Sequence, residues 1–326
     1  MYSLCMATEE TTPDTLLGAI TYFADIDVAT MFVASLRWPD GVRCPHCESV
    51  DCSYVASRRI WQCKNCRKQF SVKVGSIFED SPLPLSKWLP AMWMLVNCKN
   101  GVSSYEIARD LGITQKSAWF MLHRLRLAIQ AKSFDKMGGE VEVDETFIGG
   151  KARNMHKSKR ERLGISQSRS MIGKVAVMGL LERHGEKGSR VRLNAVKNRR
   201  RHELEQTIGE HVTTGSTVYT DALKSYDQMG QRGYVHHVID HAEAYVDGAV
   251  HTNGLENFWS LLKRALKGTY VSVEPFHLFR YLDEQVYCFN NRKDSDAGRF
   301  LEACMNVFGR RLTYKALTGK ELPETC

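Results

Sequence analysis

The chain predicts a mixed α/β core preceded by a small cysteine-paired module and a run of helices. Three observations carry this. From about residue 140 the pattern becomes strand-like: VEVDETFI alternates, MIGKVAVMGLLE is a strand-length apolar run, and SRVRLNAVK alternates again after the turn HGEKG. A helix at 201–212, a strand at 216–220, a short helix near 222–229, a strand at 234–239 and helices at 253–267 and 275–289 follow. Ahead of them lie two C-x2-C pairs within 38–75 and several helical patterns within 83–131.

The bulk numbers bound the answer. A chain of 326 residues predicts two or three folding units, and 43% hydrophobic content excludes global disorder. A net charge of +8 and a pI near 8.9 direct the surface toward polyphosphates or anionic membranes. The opening MYSLCMATEE lacks a basic start and an apolar run, which argues against a secretory leader. The longest apolar stretch, LPAMWMLVNC at 89–98, is about half a membrane span. The expected setting is the cytoplasm, and no membrane partner is expected.

Residues 14–40 read as a helical segment, with Leu16, Ile20 and Phe23 and then Met31, Phe32 and Leu36 apolar. Residues 41–75 read as a zinc ribbon. Cys44, Cys47, Cys63 and Cys66 offer two thiolate pairs at the bite a tetrahedral Zn²⁺ needs, and four filled positions make the site structural. His46 and Cys52 lie close by but outside the repeat.

Residues 83–131 read as a helix-turn-helix domain. Ser104 is the expected cap of its first helix, with Ile107, Ala108 and Leu111 buried. Thr114 caps the second, with Ala118, Leu122 and Leu125 buried. The second helix then carries Gln115, Lys116, Ser117 and Trp119 toward a DNA groove. Between Lys151 and Arg201 stand sixteen Lys and Arg against three acids, a concentration that reads as a phosphate-backbone contact surface.

Within VEVDETFI, the two-residue period puts Val141, Val143, Glu145 and Phe147 on one face and Glu142, Asp144 and Thr146 on the other. An acid inside such a strand is costly unless paired or bound to a metal. Asp221 ends the strand STVYT, where a helix cap is the plain alternative. In HTNGLENFWSLLKR, the residues Leu255, Phe258, Trp259, Leu262 and, just beyond, Leu266 share one side, with Glu256 at its border. Lys263 lies two turns along the same edge, and Asn253 stands further round. Three carboxylates from a strand, a strand end and a helix are what a pair of Mg²⁺ or Mn²⁺ ions requires.

Taken in order, RWPDGVRCPHC, the second C-x2-C, the helix pair, VEVDETFIGG, YTDALKSY and HTNGLENFWSLLKR resemble the DDE transposases of bacterial insertion sequences. The branch is the one with an N-terminal zinc ribbon and a ribonuclease H-like catalytic core, and the resemblance runs from about residue 20 to 295. It implies an α/β, ribonuclease H-like mixed sheet over 139–295, beginning with three antiparallel strands, and leaves 296–326 as a tail.

The resemblance also implies catalytic acids at Asp144 and Asp221 and a third at Glu256, with Asn253 the alternative because this branch carries either Glu or Asn there. Lys263 and Arg264 fall where such enzymes place basic residues toward DNA. Glu145 reads as structural. Arg280, Tyr281, Glu284, Asn291 and Arg292 read as bracing the core or holding flanking DNA. The implied activity is metal-dependent cleavage at the terminal inverted repeats, freeing a 3′ hydroxyl that attacks target DNA. The implied partners are double-stranded DNA (element ends and target) and further copies of the chain in a synaptic complex, at the bacterial nucleoid when bound to DNA. The alternative is a catalytically silent, sequence-specific DNA-binding protein descended from such an enzyme.

Overall fold

The computed structural model describes residues 12–130, 135–149, 155–162, 164, 174–185, 188–196, 200–221, 224–239 and 252–319. Its contacts divide the chain into two units, Met1–Gln130 with Asp294–Cys326, and Ala131–Lys293.

In the first unit, α1 (Leu16–Phe23) and α2 (Ile26–Arg37) start at side-chain caps, Thr15 accepting from the Gly18 N–H and Asp25 from the Asp27 N–H. Strands β1 (Cys52–Val55), β2 (Ile60–Cys63) and β3 (Gln69–Phe70) form an antiparallel sheet that pairs Trp61 with Tyr54 on one side and Phe70 on the other. The rings of Trp38, Trp61 and Phe70 supply a core that so short a sheet otherwise lacks. After α3 (Leu85–Asn97), helices α4 (Ser104–Leu111) and α5 (Gln115–Ala128) meet at a turn through Gly112, held at φ 59°. Thr114 caps α5 as expected. The cap of α4 is Ser103 rather than Ser104, because only Ser103 stands three residues before Glu106 and can exchange the two reciprocal bonds of a capping box.

The second unit runs β4 (Glu140–Ile148), α6 (Lys157–Arg162), β5 (Val175–Gly185), β6 (Gly188–Val196), α7 (Arg201–His211), β7 (Thr217–Asp221), β8 (Val235–Ile239), α8 (Asn253–Gly268) and α9 (Leu278–Asn290). The sheet order is β6-β5-β4-β7-β8. The first three strands pair antiparallel, and β7 and β8 add in parallel beyond β4. This is the mixed sheet that the ribonuclease H resemblance implies.

The alternation read in β4 holds. Val141 and Val143, with Met178, Leu180 and Val218, bury one face with Leu204 and Ile208 of α7. Val177, Leu181 and Val191 bury the other against Leu255, Phe258, Trp259 and Leu262 of α8 and Leu278 and Leu282 of α9. In place of the short helix near 222–229, the described residues form 3-10 turns at Lys224–Tyr226 and Met229–Arg232.

The expected tail from 296 is corrected. α10 (Asp296–Met305) packs in the first unit, with Phe300 against Trp93 and Arg299 donating to Asn97, and α11 (Tyr314–Leu317) follows it. Phe300 is fully buried, so hydrophobic burial overrides the short polar look of this segment. Much of the basic run lies outside the described residues, including Lys151, Arg153, Arg169, Lys187, Lys197 and Arg199.

Candidate active site and metal centre

The four paired cysteines come together. The Sγ atoms of Cys44, Cys47, Cys63 and Cys66 all lie within 4.8 Å of one another, with Cys44 to Cys66 and Cys47 to Cys63 at 3.6 Å. The N–H of His46 points at the Cys44 sulfur and that of Cys66 at the Cys63 sulfur, each at 3.5 Å. The Cys66 N–H is the main cause that pulls the Cys63 thiol down to about 6, against burial. A clustered thiol set with inward amide donors fits a structural Zn²⁺. Cys52, the cross-strand partner of Cys63, is not in the four-cysteine group: its thiol donates to the Ser49 carbonyl at 3.5 Å, and burial first, then the neighbouring sulfurs, push it up to about 11.

Asp144 and Asp221 lie on the face of the sheet that α8 covers. β4 and β7 are parallel partners with Glu142 opposite Tyr219, and two residues further along each strand stand Asp144 and Asp221. Both acids are half-buried, Asp144 in the middle of β4 and Asp221 at the carboxyl end of β7. Asp144 Oδ1 accepts the Glu145 N–H at 2.8 Å and Oδ2 accepts the Trp259 indole N–H at 2.9 Å. Burial is the chief cause that raises the Asp144 carboxyl; the negative charges of Asp221 and Glu256 add to it, and the two hydrogen bonds oppose it. Glu256 is exposed on the first turn of α8, and Asn253 is exposed at its first residue. Lys263 is half-buried and Arg264 exposed. Among the described residues, only the four cysteines gather ligand atoms within 4.8 Å, so the carboxylates form the wider group. Carboxylate oxygens are hard donors of the kind that divalent cations take.

Residues 136–290 match the ISXO2-like transposase domain, and residues 27–69 match the transposase zinc-ribbon domain. An uncharacterized transposase-like protein of Haemophilus influenzae is 34% identical over 84 residues, which cover 26% of this chain and 68% of the relative. The chain belongs to the insertion-sequence transposases with a zinc ribbon and an ISXO2-like domain. An uncharacterized protein in transposable element ISH50 of Halobacterium salinarum is 28% identical over 247 residues, covering 73% of this chain and 82% of the relative.

In this transposase family member, the four residues expected to read DNA are tied into the helix pair to different degrees. The Gln115 side chain donates to the Ser104 hydroxyl at 2.9 Å, and the Ser117 and Thr114 hydroxyls bond at 2.9 Å. Trp119 is half-buried and edge-on to His123. Lys116 is exposed, its ammonium 4.9 Å from the Tyr314 ring. In the basic run, Arg183 and Arg190 serve the transposase core internally, bonding Glu142 and Glu182.

Two residues near the acids went unassigned in the sequence reading. Glu142, 1% exposed, accepts the Leu255 N–H at 2.9 Å and the Arg183 Nε–H at 2.9 Å, while Arg183 lies 4.0 Å from the Tyr219 ring. Gly179 pairs directly across from Asp144. The available signals were the i, i+2 spacing of Glu142 and Asp144, and a glycine inside an apolar strand, which marks a close approach.

Proposed function

We propose that the chain is a DNA transposase that binds the terminal inverted repeats of its element and carries out divalent-metal-dependent strand cleavage and strand transfer. The reading rests on Asp144 in the middle of β4, Asp221 at the end of the neighbouring β7 and Glu256 on the first turn of α8, with the charges of the latter two acting on Asp144. Divalent cations held there supply activation of an attacking oxygen and stabilisation of a leaving one at a phosphodiester.

The remaining tasks fall to the chain. Asp144, held on both oxygens, presents a fixed carboxylate, and Asp221 flanks it on the adjacent strand. Glu256 is the third acid rather than Asn253, because its charge acts on Asp144 and an amide contributes none. Lys263 and Arg264, further along α8, meet the phosphate backbone, and α5 meets the terminal repeat, with Lys116 on its phosphates. The zinc ribbon supplies folding and positioning.

The direct test is nicking of DNA that carries the element's terminal repeats, with Mg²⁺ or Mn²⁺. Activity in the wild type and its loss in Asp144→Ala supports the reading. A wild type that binds the repeats but never cuts them supports the silent DNA-binding alternative.

A further inference from the structure

The Trp259 indole is 4% exposed, and its N–H ends on Asp144 Oδ2 at 2.9 Å. A buried indole needs an acceptor, and here the acceptor is the acid itself rather than a backbone carbonyl. The ring lies on the sheet because Gly179, opposite Asp144, has no side chain. A Cβ there would stand 2.6 Å from Trp259 Cζ2, 2.8 Å from Cη2 and 2.9 Å from Leu255 Cδ2. Glu256 precedes Trp259 by three residues, one turn along the same helix.

We infer that Trp259 is a positioning residue for Asp144, admitted by the bare strand at Gly179; this rests on the reading of Asp144 as a metal ligand. With Oδ1 held by the Glu145 N–H and Oδ2 by the indole, the carboxylate cannot turn, and each oxygen keeps a lone pair free. The helix that carries Glu256 also carries the donor that orients Asp144. Docking of α8 therefore sets the first and third acids together. A ring that only filled space would do none of this, and phenylalanine would replace it without effect on metal binding.

The test is Mn²⁺ titration of the zinc-loaded full chain, followed by the electron paramagnetic resonance of free Mn²⁺. Trp259→Phe keeps an aromatic side chain at this position and removes the donor. The expected result is Mn²⁺ binding weaker by about tenfold or more, the usual effect of losing a partner that orients a metal ligand, at a nearly unchanged thermal midpoint. Binding within about twofold of wild type in a folded Trp259→Phe chain overturns the inference.

Nitrogen-15 indole spectra of the wild type give a measurement that does not depend on that variant folding. One of the six tryptophan N–H resonances should shift both in Asp144→Asn and on addition of Mg²⁺. If none responds to both, the inference fails. The two levels separate cleanly. Wild-type Mn²⁺ binding in Asp144→Asn removes the metal-site reading itself. Loss there, with intact binding in Trp259→Phe, removes only the role of Trp259.

Discussion

The backbone N–H of Leu255 donates to the buried carboxylate of Glu142 at 2.9 Å, joining the start of α8 to the middle of β4 across 113 residues of chain. Thr252 makes no side-chain cap for this helix, so a strand residue supplies the anionic acceptor that the helix start favours. Arg183, whose side chain is 8% exposed, balances the charge. Glu142→Ala removes the 2.9 Å carboxylate partner of that buried guanidinium, and should cost roughly 3–5 kcal/mol in chemical denaturation. Glu142→Gln, which keeps an acceptor, should cost less. Equal losses for the two, or a loss below about 1 kcal/mol in the alanine variant, would show that the pair does not fix α8.

Gly179→Ala probes the other anchor. The new methyl meets the Trp259 ring and Leu255, both buried, so the helix must shift. The expected cost is about 1–3 kcal/mol of stability. A neutral or stabilising effect would mean that α8 gives way freely and that the glycine has no packing role.

These anchors separate what the sequence reveals from what it hides. The buried face of α8 was legible because Leu255, Phe258, Trp259 and Leu262 obey the helical period, and the alternation in β4 named Asp144 and its face. The C-x2-C spacing fixed the thiol cluster, because it is local chemistry. Partner choice was not legible. Glu142 and Arg183 are 41 residues apart, and only the pairing of β4 with β5 brings them together. A tryptophan on an apolar stripe reads as core whether or not its N–H is used. The segment after 294 carries a helical spacing of its own in Ala297, Phe300, Ala303 and Cys304, but its place beside α3 depends on Phe300 finding Trp93.

The ribbon separates four cysteines from a fifth. Cys63→Ser should lose the bound zinc and red-shift the emission of Trp61, which is 3% exposed in the folded sheet. Cys52→Ser should retain one zinc per chain with native emission, because its thiol bonds the Ser49 carbonyl outside the cluster. Metal content measured alongside fluorescence checks both. Zinc loss in Cys52→Ser would mean that the ligand set is misassigned.

Two imidazoles make the second unit sensitive to acid. Burial, the largest cause, lowers His236 from 6.5, with His237 adding and Asp227 opposing; burial and then Arg192 likewise lower His211. The unfolded chain takes up protons first, so this contribution is full above pH 6.5 and is lost as pH falls through the lowered folded values. Urea midpoints should drop between pH 7.5 and 5.5, and the double variant His236→Asn, His211→Asn should flatten that drop. A drop of the same size in the variant would assign it to other groups.

On the DNA side, Lys116→Ala should weaken binding to the terminal repeat and lower the slope of log affinity against log salt by about 1, the effect of one lost phosphate contact. A loss confined to one base position would instead make Lys116 a reader of sequence. An unchanged slope and affinity would remove it from the interface.

The central claim is that Asp144, Asp221 and Glu256 act as one metal-binding group. Its most direct measurement is Mn²⁺-dependent nicking of terminal-repeat DNA by the wild type, Asp144→Asn, Asp221→Asn, Glu256→Gln and Asn253→Ala, all at matched DNA occupancy. The three acid variants should each lose more than about a hundredfold, beyond the range for residues that only orient a ligand, while Asn253→Ala stays within about tenfold of wild type. Full activity in Glu256→Gln together with loss in Asn253→Ala would contradict the assignment of the third ligand. Full activity in Asp144→Asn would contradict the site itself.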